Sequence, residues 1–159
     1  VDLTQGITEL RWTLPPFEVR WLAPGDEALA ARAMREVLEE PGGLADGWLA
    51  APRVHFAVAL LDGVPAGVAY GHTVPLPDGR TEMLLYSLDV AEPYRRRGYG
   101  RALVAAFLDR TRSLGFDEMW VLTAPDNEAG NATYRSVGPP SGREESVMYT
   151  WDVSPAPDA

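Results

Sequence analysis

The sequence contains no cysteine, no lysine and only two histidines. Without cysteine the chain can form no disulfide, no thiolate metal site and no cysteine nucleophile, and a reducing cytoplasm is its expected compartment. His55 and His72 stand apart in the sequence without a carboxylate partner beside them. We therefore interpret both as structural residues and predict no metal site.

Long apolar runs are also missing. No stretch approaches the roughly 18 consecutive apolar residues of a membrane span, and the N-terminal residues lack a basic-then-apolar signal pattern. The 159 residues, 46% hydrophobic and 23% charged, can bury a core of their own. We expect a single domain over residues 17–153, preceded by a loosely ordered arm at 1–16 and followed by a tail at 154–159.

The charge is unevenly distributed. The formal net charge is −9, and removing the four arginines of residues 95–101 leaves −13 on the other residues. An acidic body around one basic stretch disfavours nucleic acid and anionic membranes as partners. It suits a polyanionic cofactor at one place and a cationic substrate at another. Surface charge that serves only solubility is the alternative.

Apolar periodicity and turn residues predict a mixed α/β domain with the order β-α-βββ-α-β-α-β. The predicted strands are 17–22, 54–61, 65–74, 80–90, 118–123 and 146–153. Asp26 is the expected N-cap of the first helix, Asp62-Gly63 the turn of a hairpin, and Gly115 the left-handed C-cap of the second helix. A third helix is predicted over 127–137. The strand at 118–123 follows a crossover helix, so we expect it to lie parallel to the strand at 80–90.

The stretch from Arg95 to Arg101, between a strand and a helix, has the composition of a pyrophosphate cradle. Glycines allow the backbone to approach an anion, and the free N–H groups at the start of a helix point at it. A P-loop is excluded because its lysine is absent, and a dinucleotide fingerprint is excluded because Leu103 occupies the place of its third glycine. The residues assigned to this cradle are Arg95, Arg96, Arg97, Gly98, Tyr99, Gly100 and Arg101.

The pattern Arg95-x-x-Gly98-x-Gly100 resembles the acetyl-coenzyme A signature of the GNAT superfamily of N-acetyltransferases. Asn127 and Tyr134, with Gly138 behind them, stand where that superfamily has a second shared feature. Residues 48–157 resemble, more closely, the small GNAT-type aminoglycoside 3-N-acetyltransferases. The features shared with them are Arg80-Thr81-Glu82 at the start of the long strand, the run Arg143-Glu144-Glu145, the pair Val147-Met148 that follows it, and the pair Asp152-Val153.

The resemblance implies a GNAT fold, with one mixed and mainly antiparallel sheet flanked by helices, and acetyl-coenzyme A as the acetyl donor. The main chain of Leu88, Asp89 and Val90 would pair with the pantetheine arm, and Asn127 would contact that arm from the third helix. Tyr134 corresponds to the tyrosine that protonates the departing thiolate. A phenol near the sulfur is chemically suited to that task.

The acceptor amine needs a base and an anionic pocket. Glu82 and Asp89 are candidates for base or amine anchor, and a β-bulge between them would bring both to one face of the strand. The subfamily that the sequence resembles usually has an aspartate at the position of Ser87. Asp89, two residues later, is a candidate to supply the carboxylate that is missing there. Three further acidic residues are candidates for the substrate pocket: Glu144, Glu145 and Asp152. In the loop at 42–53, Asp46 and Trp48 are candidates for the pocket wall.

These observations predict acetyl transfer from acetyl-coenzyme A to a primary amine of a polycationic aminoglycoside, with the 3-amino group as nucleophile. Because no cysteine is present, direct attack in a ternary complex is expected. A GNAT enzyme for a polyamine, a small amine or a protein N-terminus is one alternative. A coenzyme-A-binding sensor without catalysis and a protein-interaction module are the others. The resemblance also leaves open a homodimer paired through the C-terminal strands.

Overall fold

The computed structural model describes residues 17–153, so the predicted arm at 1–16 and tail at 154–159 lie outside the described residues. The chain divides into two compact units between Leu122 and Thr123. In the described range, no helix is long and apolar enough to cross a membrane.

The order of elements follows the prediction as far as the third helix. The five strands are β1 (Glu18–Leu22), β2 (Val54–Leu61), β3 (Val64–Pro75), β4 (Thr81–Val90) and β5 (Glu118–Val121). The three α-helices are α1 (Glu27–Val37), α2 (Tyr99–Ser113) and α3 (Glu128–Ser136), and short 3-10 turns cover Trp48–Ala50 and Glu92–Tyr94. All five strands and the first two helices belong to the first unit, and α3 belongs to the second.

The strands form one mixed sheet in the order β1-β2-β3-β4-β5. The first three pairings are antiparallel, and β4 pairs with β5 in parallel, which the crossover through α2 allows. Asp62 and Gly63, both with positive φ, turn the β2–β3 hairpin. The predicted mixed and mainly antiparallel sheet is confirmed.

One face of the sheet carries α1, and we call it the α1 face. Its core joins Ala30, Ala33 and Val37 of the helix to Phe56 and Val68 of the central strands. These three helical residues are spaced three and four apart, so they lie on one stripe that faces the sheet. Asp26 stands at the start of the helix but does not cap it. Its carboxylate instead accepts hydrogen bonds from the Ala23 N–H and the Arg20 guanidinium.

The opposite face carries α2, and we call it the α2 face. A Cβ at Gly67 would lie 3.1 Å from the Leu103 side chain, and one at Gly71 would lie 3.0 Å from Phe107. Glycine at these two positions therefore lets α2 pack close to β3. Gly115, with φ +70°, ends the helical segment in the left-handed conformation, and this prediction is confirmed.

The predicted final strand over Ser146–Val153 is wrong for this structure. Within the described residues, the chain from Pro139 to Val153 forms neither helix nor strand. The composition is strand-like, but a strand needs a neighbour for its backbone groups, and none of the five strands pairs with this segment.

Candidate functional site

An open edge of the sheet lies along the second half of β4. The parallel pairing with β5 runs from Glu82 opposite Glu118 to Leu85 opposite Val121, where β5 ends. Strand β4 continues to Val90, and among residues 17–153 only β3 pairs with this second half. Its outer backbone groups are therefore available to an extended ligand that adds to the sheet as a strand would.

A β-bulge stands where this edge opens. Tyr70 pairs with Ser87 and Gly71 pairs with Leu85, so Tyr86 is the extra residue in β4. The bulge changes the alternation of the strand. As a result Glu82, Ser87 and Asp89 share the α1 face, because their register partners on β3 are separated from one another by even numbers of residues. The bulge that the sequence interpretation required is present.

The basic turn leads from this edge into α2. Arg96 has φ +61° and Gly98 has φ +89°, both in the left-handed region, and Gly98 occupies the N-cap position of the helix without a side-chain cap. The first helical hydrogen bond runs from the Ala102 N–H to the Gly98 carbonyl. The N–H groups before Ala102 are thus left for an anion, and this cradle has the geometry of a backbone nest at a positive helix end.

Arg95 and Asp89 cover part of the open edge. The Val90 N–H donates to the Asp89 carboxylate at 2.7 Å, and Arg95 Nε donates to the Val90 carbonyl at 2.8 Å. The Arg95 guanidinium also lies 3.7 Å from the same carboxylate. An extended ligand can therefore pair with Val90 only if Asp89 and Arg95 release the Val90 backbone groups. In the described residues, no side chain is bonded to the Leu88 backbone.

Glu82 is held in place by two partners. Trp120 Nε1 donates to one carboxylate oxygen at 3.0 Å, and the Arg80 guanidinium lies 3.7 Å from the other. Its side chain is only 14% exposed. These contacts fix the carboxylate on the α1 face and leave it little freedom to move towards a substrate.

A cavity of about 230 Å³ lies on the α1 face beside the bulge. Trp48 and Tyr70 meet edge to face at 5.5 Å, and Tyr86 stacks on Tyr70 at 5.5 Å. His72 places its ring against both tyrosines. We call Trp48, Tyr70, His72 and Tyr86 the aromatic pocket. Trp48 was predicted as a pocket wall, whereas Asp46 is not part of this lining.

A second cavity, of about 480 Å³, lies between the end of α1 and the chain after β4. Four carboxylates line it, and we call it the acidic cavity: Glu36, Glu39, Asp89 and Glu92. Arg95 is the basic residue of its wall. Of the four carboxylates, only Asp89 was predicted from the sequence. The other three were missed because α1 approaches the end of β4 through a long-range contact that no local pattern encodes.

In the second unit, Asn127 caps α3. Its side-chain oxygen accepts from the Gly130 N–H at 3.0 Å, and its amide donates to the Thr123 hydroxyl at 2.9 Å. Tyr134 lies on the same helix, and burial raises the pKa of its phenol above the ordinary value. The phenol therefore keeps its proton at neutral pH and can act as a donor.

The three acidic residues predicted near the C-terminus do not form a strand edge. Glu144 and Glu145 are exposed, and Glu145 lies 3.8 Å from the Arg143 guanidinium. Asp152 is exposed in the same segment. In the described residues, no group of three histidine, cysteine or acidic side chains is arranged to hold a metal ion.

An open strand edge that leads to a basic, glycine-bearing helix start defines a protein that binds an extended, pyrophosphate-bearing ligand. The family described as Acetyltransferase (GNAT) matches residues 9–138. The chain therefore belongs to the GNAT acetyltransferase family, and the predicted donor, acetyl-coenzyme A, is confirmed.

Solved structures share the fold. An aminoglycoside acetyltransferase from an uncultured soil metagenomic sample is 25% identical, with a TM-score of 0.75 over 87% of this chain and 99% of its own. The aminoglycoside N-acetyltransferase AAC(6')-Iy in complex with CoA is 22% identical, with a TM-score of 0.69 over 87% and 95%. The ribosomal-protein-alanine N-acetyltransferase of Brucella melitensis biovar Abortus 2308 is 17% identical, with a TM-score of 0.67 over 85% and 100%. No curated protein matches the sequence.

Proposed function

We propose that this protein transfers the acetyl group of acetyl-coenzyme A to a primary amine of a polycationic aminoglycoside, at the 3-amino group, by direct attack in a ternary complex. The acidic cavity is the observation that supports a polycationic acceptor. Its four carboxylates adjoin the α1 face of β4, next to the open edge, and suit a substrate with several ammonium groups. The likeness to a soil aminoglycoside acetyltransferase supports the same choice.

The donor occupies the open edge and the cradle. The pyrophosphate lies on the N–H groups before Ala102, with the cations of Arg95–Arg97 and Arg101 around it. The pantetheine arm pairs with the main chain of Leu88 to Val90, and Asn127 contacts it. Because Arg95 is bonded to the Val90 carbonyl, donor binding turns its guanidinium from the strand to the phosphate, which is the stronger acceptor.

The chemistry is a nucleophilic acyl transfer. The acceptor nitrogen attacks the thioester carbon and forms the C–N bond, the C–S bond breaks, and the thiolate takes a proton from the Tyr134 phenol. The proton lost by the nitrogen goes to a base. Glu82 and Asp89 are candidates for this base or for anchors of the ammonium groups, and Ser87, between them on the same face, is a candidate contact of the acceptor.

Thiol release from acetyl-coenzyme A, measured with a panel of acceptors, tests the proposal. The panel contains gentamicin-like aminoglycosides, polyamines and peptides with free N-termini. We expect turnover with aminoglycosides, and NMR of the product shows which amine carries the acetyl group. Acetylation at the 6'-amine would contradict the regiochemistry, and turnover only with polyamines or peptides would contradict the acceptor class. Coenzyme A binding without turnover on any acceptor would identify a sensor.

A further inference from the structure

The aromatic pocket has no role in the donor site described above. Its members come from three separate parts of the first unit: the 3-10 turn that carries Trp48, strand β3 with Tyr70 and His72, and the bulge at Tyr86. Met34 of α1 and Leu44 of the following loop close its apolar side. Three of its rings line a cavity of about 230 Å³ and Tyr86 stacks on one of them, which forms a site for one small ring or for an ammonium group.

We propose that the aromatic pocket holds the reacting amine of the acceptor and that His72 is the catalytic base that removes its proton. This inference rests on the proposed acetyl transfer to an amine. It does not require the acceptor to be an aminoglycoside.

The position of the pocket relative to β4 is the first argument. A pantetheine arm that starts at the cradle and runs back along Val90 and Leu88 brings the thioester towards Tyr86, where β4 and β5 separate. Tyr86 also contacts two residues that line the cavity, through its stack on Tyr70 and its edge contact with His72. An amine in the pocket is thus adjacent to the point at which the donor arm ends.

The chemistry of the walls is the second argument. Tyr86 is 62% exposed, which is unusual for a large aromatic ring and leaves one face open to a ligand. Burial raises the pKa of the Tyr70 phenol, and the charge of Glu40 adds to this effect, so Tyr70 stays neutral. Aromatic rings such as those of Tyr70 and Tyr86 attract a cation through their π faces.

The freedom of His72 is the third argument. In the part of the chain that the structure describes, no hydrogen bond engages its ring nitrogens, whereas both nitrogens of His55 are engaged. Glu82 is its diagonal neighbour across β3 and β4, but that carboxylate is held by Trp120 and Arg80. Asp89 lies several residues beyond the bulge and is bonded to the Val90 N–H.

Histidine is also the side chain that most often acts as the general base in proton transfer. The titratable groups around His72 are Tyr70 on β3, Tyr86 on β4, the diagonal Glu82, and His55, whose charge couples to it. In the step itself, the C–N bond forms as the nitrogen attacks the thioester carbon, and the C–S bond breaks to release the thiolate. His72 takes the proton from that nitrogen while Tyr134 supplies one to the thiolate, so no further reactant is needed.

The pH dependence of kcat/KM tests the base. For His72→Gln we expect kcat to fall about 10²-fold or more. We also expect the profile of kcat/KM against pH to lose the ascending limb that is due to an imidazole, so that only the titration of the acceptor amine remains. The matched control is His55→Gln, the only other histidine of the chain. It should keep both the limb and a kcat near that of the wild type. An unchanged limb in His72→Gln, or loss of the limb in Glu82→Gln instead, would overturn the assignment.

Tyr86→Ala and Tyr86→Phe test the pocket. We expect the alanine variant to raise the acceptor KM about 10-fold, with coenzyme A affinity unchanged, and phenylalanine to restore most of the affinity because it keeps the ring. Calorimetric titration of the same amines measures binding without turnover. Amine affinity that is equal in wild type and Tyr86→Ala would overturn the pocket. Acetylation of a polyamine alone would contradict the aminoglycoside acceptor and still support the pocket if these variants respond as expected.

Discussion

At the scale of single residues, Tyr134 is the most direct test of the leaving-group chemistry. Its raised pKa keeps the phenol protonated through the neutral range, so it can donate to a thiolate but cannot serve as a base. We predict that Tyr134→Phe lowers kcat about 10²-fold with little change in coenzyme A affinity. Stopped-flow thiol release and calorimetry measure the two quantities. Tyr149→Phe removes an exposed phenol and should behave as wild type. An unchanged kcat in Tyr134→Phe would remove this residue as the acid.

His55 illustrates a buried polar residue whose role is structural. Its ring is 8% exposed, and Arg110 Nε donates to Nδ1 at 3.0 Å. Because a guanidinium only donates, the ring proton lies on Nε2 and is donated to the Thr73 hydroxyl at 2.8 Å. The Arg110 guanidinium in turn stacks over the Trp21 ring at 4.4 Å. This network joins β1, β2, β3 and α2, and it requires a neutral imidazole.

Stability should therefore depend on pH through His55. Burial, the charge of Arg110 and His72 lower the pKa of His55 to about 4, whereas an unfolded histidine titrates near 6.5. Between these values the unfolded state binds more protons, so the stabilisation is complete above about pH 6.5 and is lost as the pH falls towards 4. We predict a loss on the order of 2–3 kcal/mol in the free energy of unfolding. Urea unfolding at pH 7, 6 and 5 measures it.

The control for this prediction is the second histidine. His55→Gln should be less stable at pH 7 and should show a flatter dependence on pH, since its side chain cannot be protonated. His72→Gln should reduce the slope only slightly, because the charge of His72 is the smallest of the three causes that lower the pKa of His55. An equal slope in wild type and His55→Gln would show that other groups dominate acid destabilisation.

At the scale of elements, the cradle depends on one left-handed residue at the start of α2. Gly98 has φ +89° with open space around it, so a methyl group there meets no atom but strains the backbone. We predict that Gly98→Ala destabilises the fold by about 1 kcal/mol and weakens coenzyme A binding about 10-fold, because the N–H groups of the nest turn away from the phosphates. Calorimetric titration with coenzyme A measures the affinity.

Gly115, at the other end of α2, is a matched control with φ +70° and equally open surroundings. Gly115→Ala should cost similar stability and leave coenzyme A affinity unchanged. If both variants lose affinity equally, the effect is a general loss of stability and the cradle has no special dependence on Gly98.

Local chemistry made much of the fold predictable. The Asp62-Gly63 turn, the C-cap at Gly115 and the basic glycine turn before α2 are each encoded within a few residues, and the structure has all three. The bulge was anticipated but its position was not, because Tyr86 becomes the extra residue only through the register with β3. The aromatic pocket and the acidic cavity were missed for a related reason. Their residues meet through the packing of α1 and its following loop on distant strands.

At the scale of the whole molecule, the proposed donor site is basic and the proposed acceptor site is acidic. In the proposed reaction, the four arginines of the cradle bind the pyrophosphate of the donor, while the remaining net charge of −13 includes the carboxylates of the acidic cavity. The basic, glycine-bearing turn therefore bears only on the donor. We expect the identity of the acceptor to depend on the α1 face, which carries the bulge, the aromatic pocket and the acidic cavity. A small number of changes on that face would alter the acceptor without altering the acetyl donor.

The C-terminal segment points to self-association. Five large apolar residues between Val147 and Val153 are each between 74% and 88% exposed, and Tyr149 and Trp151 lie together at 6.1 Å. An exposed apolar stretch of this density marks an interaction surface. Its residues favour strand structure, and within the described part of the chain no strand pairs with it. We propose that a second copy of the chain supplies the partner strand and that the protein is a homodimer.

Analytical ultracentrifugation at several protein concentrations tests this assembly. We predict a dimer for the wild type and a shift to monomer for the double variant Tyr149→Ala, Trp151→Ala, because two aromatic anchors contribute most to such an interface. Leu114→Ala removes an exposed apolar side chain outside the segment and should leave the dimer intact. A wild type that sediments as a monomer at all concentrations would contradict the proposal. A dimer that persists in the double variant would place the interface elsewhere, since the segment would then contribute little to its free energy of association.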